Sequence, residues 1–179
     1  MEDLRLRLEG VVQGDLPKRE VFKGVLNQIA SSIITIFSLE EDEVAIILIR
    51  DKGQLLRFAY PLELYEGGMN AFPVTASSVA GQVVRSRQGL FFNDFQEIRH
   101  LSIYEKMRLK GREPRDIQKI LSAPLILPDS KVIGVVQISR KGKSLAEAGK
   151  DFSKQDLEKL ASLCSLAAPY LSKSIPPDF

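Results

Sequence analysis

Three observations predict an α+β domain built on an antiparallel sheet. Two pairs of β-branched, apolar runs are each joined by a short polar turn, 44–50 with 54–60 and 120–128 with 132–140. Long stretches with helical spacing of apolar residues stand near both ends, at 18–38 and 152–174. Between the hairpins lie a short helical stretch, a short strand and one long polar connection. Hairpins close without crossover helices. The helices are therefore free to gather on one face of the sheet, giving two or three layers.

Residues 1–17 read as a lead-in, flexible or dependent on a partner. Leu4, Leu6 and Leu8 alternate with Arg5 and Arg7 in a strand-like period, and Gly10, Gly14 and Pro17 break it up. Residues 18–38 form the first clear helix. Phe22, Leu26, Ile29, Ile33 and Phe37 make one core-facing stripe. Val21, Val25 and Ile36 fall outside it, and a helix apolar on more than one side meets a second partner.

An acidic turn at 40–43 leads into VAIILIR (44–50), the turn Asp51-Lys52-Gly53 and QLLRFAY (54–60), which Pro61 ends. The stretch holding Glu66, Gly67, Gly68 and Asn70 reads as a loop. ASSVAGQVVRSR (76–87) reads as a short helix with Ser77 or Ser78 near its N-cap. GLFFND (89–94) is a short strand running into a turn. The polar connection 95–119 is long for a compact domain, and such lengths belong to functional or mobile loops. A helical turn or two is expected within it, around 103–109.

The second hairpin is ILSAPLILP (120–128), the turn Asp129-Ser130-Lys131 and VIGVVQISR (132–140). The last helix opens at Ser153 with Asp156 three residues on, a capping-box variant with Asp in place of Glu or Gln. Its stripe runs through Leu157, Leu160, Ala161, Cys164, Ala168 and Leu171, while Leu163, Leu166 and Tyr170 lie off it. Pro169 is placed to kink its last turns. Residues 174–179 form a short tail.

Composition narrows the function. The chain has 179 residues, 44% hydrophobic, enough for one domain with a sizeable core. Lys and Arg number 25 against 23 Asp and Glu, a net charge of +2, which announces neither nucleic acid nor an anionic membrane. One Cys excludes a disulfide framework and a thiolate zinc site, and one His excludes a two-His metal site. No stretch is apolar enough to span a bilayer and no secretory leader is evident, so the expected location is cytoplasmic. No nucleophile–base set beyond one involving His100 and no phosphate-cradling glycine loop stands out, so the chain is expected not to be an enzyme.

Three stretches, in order, resemble the GAF domain, a PAS-related small-molecule sensor module of signalling proteins. They are SSVAGQVVRSRQGLFFNDF (77–95), LSAPLILPDSKVIGVVQISRK (121–141) and FSKQDLEKLASLCSLAA (152–168). The resemblance covers roughly 18–173. It implies a six-stranded or nearly six-stranded antiparallel sheet, with the terminal helices on one face and a pocket capped by loop and short helices on the other. Members bind cyclic nucleotides, bilins, haem, or amino or oxo acids, and some have no known ligand. The cyclic-nucleotide members resembled here carry Asn-Lys, a spacer, then Phe-x3-Asp-Glu. Phe152 and Asp156 match that pattern, but Ser139-Arg140 and Leu157 do not. Bilin attachment needs a pocket Cys, and Cys164 is spaced with the core stripe of the closing helix. The family's methionine-sulfoxide reductases use several cysteines, so a reductase-like activity is the weakest alternative. His100 reads as a loop residue rather than a haem ligand, although haem needs only one proximal His. No cofactor and no metal site are expected.

The candidate pocket comprises Phe58, Tyr60, Phe92, Asn93, Asp94, Arg99, Tyr104, Arg108 and Gln137. Phe58 and Tyr60 fall on one face of their strand by period two. Asn93-Asp94 either satisfies turn backbone or orients a ligand at the pocket rim. The arginines of the long loop, Arg112 and Arg115 included, are either a solvated cluster or inward-facing forks for a carboxylate or phosphate. Gln137, mid-strand, needs a partner if buried, and either a pocket ligand or an outward face answers that need. The expected function is sensing a small, anionic molecule, with the signal passed through a helical homodimer interface at Val21, Val25, Ile36, Leu163, Leu166 and Tyr170. The alternative is a ligand-free dimerisation or docking scaffold. A separate output protein is a further expected partner.

Overall fold

The computed structural model describes residues 1–50, 55–67, 71–75, 77–101 and 115–179, with backbone only for 99–101. Six strands form one sheet: β1 (Val44–Arg50), β2 (Leu55–Tyr60), β3 (Ala71–Pro73), β4 (Leu90–Phe92), β5 (Ile117–Ile126) and β6 (Val132–Lys141). Their order is β3-β2-β1-β6-β5-β4, and each pair is antiparallel. The helices are α1 (Glu2–Gln13), α2 (Lys18–Phe37), α3 (Leu62–Glu66), α4 (Val79–Ser86) and α5 (Lys154–Ser174).

Period-two alternation divides the sheet between two clusters. Ile46, Leu48, Leu121, Ala123, Leu125, Val136 and Ile138 pack under α1, α2 and α5. Ile47, Leu56, Phe58, Ile120 and Val135 pack under α4 and the 3-10 segment Phe95–Leu101. The α+β architecture, with terminal helices on one face, is the one expected. Pro124 sits inside β5 without penalty, because β4 pairs only with Ile120–Ser122 and asks nothing of the N–H that Pro124 lacks.

Local signals were legible at the helix ends. Ser78 Oγ accepts from Gly81 N at 2.9 Å, capping α4. Ser153 accepts from Asp156 N, and Asp156 accepts from Ser153 N at 2.9 Å, completing the capping box of α5. Pro169 lies inside α5, as placed.

Several expectations are corrected. The lead-in is a helix rather than a strand-like or flexible segment. Leu4, Leu8 and Val11 recur at helical spacing, Leu4 and Leu8 are buried, and Leu6 is 61% exposed. The Arg/Leu alternation masked this, because Leu4 and Leu8 satisfy both periods. Gly24 lets α1 lie close on α2, where a Cβ would stand 2.9 Å from Val11 Cγ1. Arg7 reaches across to Ser32 Oγ at 2.9 Å, and Tyr170 OH donates to Glu9 at 3.2 Å. The loop assigned after Pro61 holds α3 and, beyond 68–70, β3. Strand β5 begins at Ile117, ahead of the run that marked it. The turn at 51–53 and the helical turn expected around 103–109 lie outside the described residues.

The helix layer also changes the dimer reading. Val21, Val25 and Leu163 are buried within this chain's own core, and Leu166 and Tyr170 are half-buried against it. Only Ile36 of the six is exposed, at 40%. The second apolar face of α2 and α5 already has a partner, α1, which the strand-like reading of the lead-in had removed from consideration.

Candidate functional site

The face of the sheet under α4 carries the most informative polar group. In the ladder, Ala45 of β1 opposes Gln137 of β6, which opposes Ser122 of β5, which opposes Leu90 of β4. Small side chains therefore flank Gln137 on both sides. Gln137 is only 7% exposed, and its Oε1 has no hydrogen-bond partner among the described residues. A buried acceptor left unmet costs about 1–3 kcal/mol. Ser122 Oγ, fully buried, donates to Val136 O at 3.4 Å and so does not relieve it. Val79, Ala80 and Val83 of α4 and Phe95 complete the cluster on this face.

Phe58 and Phe92 both belong here. Phe58 meets Phe72 with ring centroids 5.9 Å apart, and Phe92 packs half-buried against the same cluster. Tyr60 does not. The β1–β2 register pairs Ile47 with Phe58 but Ile46 with Tyr60, leaving Ala59 as an extra residue. That bulge turns Tyr60 to the helix-covered face, where it joins the other cluster. A strict period of two had put Phe58 and Tyr60 together.

Asn93 is committed elsewhere. Its Nδ2 donates to Phe152 O at 3.0 Å, and Phe152 N donates to its Oδ1 at 2.8 Å. Both ends of the amide are used on the segment leading into α5. Asp94 Oδ1 accepts from Gln96 N at 3.0 Å, which is turn chemistry. The rim role assigned to this pair gives way to a structural one. The Arg99 side chain, Tyr104 and Arg108 lie outside the described residues.

Arg115, the first described residue after 102–114, does grip carboxylates, but they are this chain's own. Its fork spans both oxygens of Glu40 at 2.9 Å and also reaches Asp42 at 2.9 Å. Lys141 Nζ meets Asp42 Oδ2 at 3.0 Å. Burial pushes the Asp42 carboxyl up, but the hydrogen bond and charge of Lys141, with the charge of Arg115, hold it below its ordinary value. Glu43, itself buried, accepts from Glu40 N at 3.0 Å and from Lys141 N at 2.8 Å. The acidic turn is thus a fastening between β1, β6 and the end of the long connection.

Among the described residues no group of three or more His, Cys, Asp or Glu could hold a metal ion, and no helix is long and apolar enough to cross a membrane. Cys164 is buried, with Sγ 3.9 Å from Ala123 O, and burial pushes its thiol far up. The sequence reading passed over Ala45 and Ser122. Only the strand register reveals that they flank Gln137.

Comparison with known proteins agrees with this fold. A family profile described as GAF domain matches residues 20–172. No curated protein matches in sequence. Among solved structures, the chain is similar to the GAF domain from Acinetobacter phosphoenolpyruvate-protein phosphotransferase, with TM-score 0.63 and 16% identity, covering 96% of this chain and 91% of that one. It is similar to residues 122 to 287 of a methyl-accepting chemotaxis protein, with TM-score 0.66 and 14% identity, covering 96% of each chain. It also resembles a type II free methionine-R-sulfoxide reductase from Thermoplasma acidophilum, with TM-score 0.55 and 13% identity, covering 86% and 96%. At such identities these likenesses speak for the fold alone.

Proposed function

The chain belongs to the GAF domain family, and from that premise we propose that it is a non-catalytic, cytoplasmic sensory module that binds a small anionic molecule under α4. One observation carries the reading, the buried Oε1 of Gln137, without a hydrogen-bond partner among the described residues, between two small residues, Ala45 and Ser122. A ligand bearing an N–H or O–H donor satisfies that acceptor, and the small side chains on both sides put little bulk in its way. The anionic preference rests on the sequence alone, on Arg99, Arg108 and Arg112, since Arg115 is held by Glu40 and Asp42.

The signal passes to the helix layer through the sheet, whose opposite face α2 and α5 cover. A ligand shifts that layer only by binding two of its arrangements with different affinity. A homodimer through the helix layer remains part of the proposal, now centred on Ile36 with the half-buried Leu166 and Tyr170. A separate output protein reads its state.

A second reading, a ligand-free scaffold, draws support from the Phe58–Phe72 contact and the fully buried Val79, Val83 and Val135, which already pack this face. Native mass spectrometry of freshly purified protein separates the two. An adduct that is lost in the Gln137→Leu chain supports the sensor. A clean spectrum, together with a Gln137→Leu chain more stable than the parent, favours the scaffold. A clean monomer counts against the dimer.

A further inference from the structure

A cleft remote from Gln137 lies where α2, β2 and α3 meet, and residues 176–179 fold back into it. Phe179 packs edge-on to Phe22, centroids 5.6 Å apart, and stacks on Tyr65 at 5.9 Å with an interplanar angle of 19°. The Arg57 guanidinium sits 5.0 Å from the Phe179 centroid and 5.1 Å from that of Tyr65. Asp178 pairs with Arg19, and Phe179 N donates to Pro176 O at 3.1 Å, closing a turn. A cavity of about 240 Å³ remains beside this tail, lined by Arg19, Lys23, Arg57, Tyr65, Glu66 and Asp178.

We propose that this cleft is a docking site for an acidic–aromatic segment of a partner protein, which Asp178 and Phe179 occupy in cis. The recognition chemistry is explicit. Phe22, Tyr65 and Arg57 form a ring site with a cation over the aromatic face, and Arg19 takes the carboxylate that precedes it. The cis occupant fills the cleft incompletely, and the ionic part of its hold is weak. The Arg19–Asp178 pair is exposed on both sides, 57% and 60%, where an ion pair adds little net stability. Lys23, paired with Glu66 at 2.8 Å, faces the unfilled volume. A partner segment with one more acidic side chain reaches Lys23 and displaces the tail. Tethering gives the cis tail an effective concentration near the millimolar range, so it sets a threshold that a partner must exceed.

The test is fluorescence anisotropy with a labelled synthetic peptide copying residues 174–179, titrated against two full-length chains. One is the intact chain and the other carries Asp178→Ala with Phe179→Ala. The opened chain is expected to bind the peptide at least tenfold more tightly than the intact chain. A peptide with Ala at the same two positions is expected to bind it at least tenfold more weakly. Equal binding to both chains, or no binding to an opened chain that keeps its circular dichroism spectrum and cooperative melt, overturns the proposal. If the double variant does not melt cooperatively, full-length Phe179→Leu replaces it, which removes the ring contacts with Tyr65 and Arg57 and keeps an apolar side chain, and binding no tighter than to the intact chain overturns the proposal. Light scattering supplies one more arm. A dimer of the intact chain that the double variant abolishes assigns the cleft to the tail of a second copy and likewise overturns the partner reading.

Discussion

Asn93 and Phe152, 59 residues apart in the chain, are joined by two reciprocal hydrogen bonds between one side-chain amide and one backbone unit. The pair ties the end of β4 to the segment that starts α5. It holds the β4 edge of the sheet to the helix layer.

Asn93→Ala removes both bonds and leaves the N–H and C=O of Phe152, a buried residue, without these partners. A loss of about 2 kcal/mol is expected, from roughly 1 kcal/mol per hydrogen bond. Urea denaturation of the variant measures it. A variant as stable as the parent contradicts the clamp. A stability loss that leaves any bound ligand in place confirms that Asn93 is structural rather than a ligand contact.

Leu8 and Leu6 separate the helical reading of the first residues from the strand-like one. Leu8 is fully buried and Leu6 is 61% exposed. Leu8→Ala is expected to cost about 2–5 kcal/mol, as buried Leu truncations do. Leu6→Ala is expected to stay within about 0.5 kcal/mol of the parent, as exposed substitutions do. Equal effects from the two would show that α1 is not docked.

Gly134 of β6 lies opposite Leu48 of β1. A Cβ there would stand 2.3 Å from Ile47 O and 2.9 Å from Leu48 Cα, both backbone atoms that cannot swing aside. Gly134→Ala is expected to destabilise by about 3 kcal/mol, the upper range for overpacking. A thermal melt unchanged from the parent would show that the two strands are farther apart.

Asp42 makes stability depend on acid. Its folded carboxyl holds a proton less tightly than the unfolded one, so the unfolded chain takes up protons first as the pH drops. The contribution is complete above the ordinary carboxylate value of about 3.9 and is lost as the pH falls through the lower folded value. Asp42→Asn is expected to flatten this part of the stability–pH curve measured by urea titration. A curve of unchanged steepness below pH 5 would place the acid sensitivity on other carboxylates.

Cys164 offers a spectroscopic test of the core. Burial against Ala123 disfavours the thiolate, which is the reactive form. The native chain is expected to leave a coloured disulfide reagent unreacted at neutral pH, while the chain in urea releases one equivalent. Fast native reaction would mean that α5 opens readily from the sheet.

Local periodicity carried most of the elements. The stripe Phe22-Leu26-Ile29-Ile33, the β-branched runs and the Ser78 and Ser153 caps each act within a turn or two of the chain, so residue order alone determines them. What the order of residues left open was decided by contacts between distant segments. Leu4 and Leu8 suit a strand or a helix until α2, with Gly24 beneath Val11, gives a helix a surface to dock on. Tyr60 follows Phe58 by the period of a strand, yet one extra residue at Ala59 sends it to the opposite face. Gln137 is a polar residue in an apolar run whether it faces water or a closed interior, and only the tertiary structure, which sets it between Ala45 and Ser122 of two other strands, makes it a buried acceptor without a donor among the described residues. Packing across the sheet selects among arrangements that the local backbone tolerates equally, and that selection is a property of the tertiary structure.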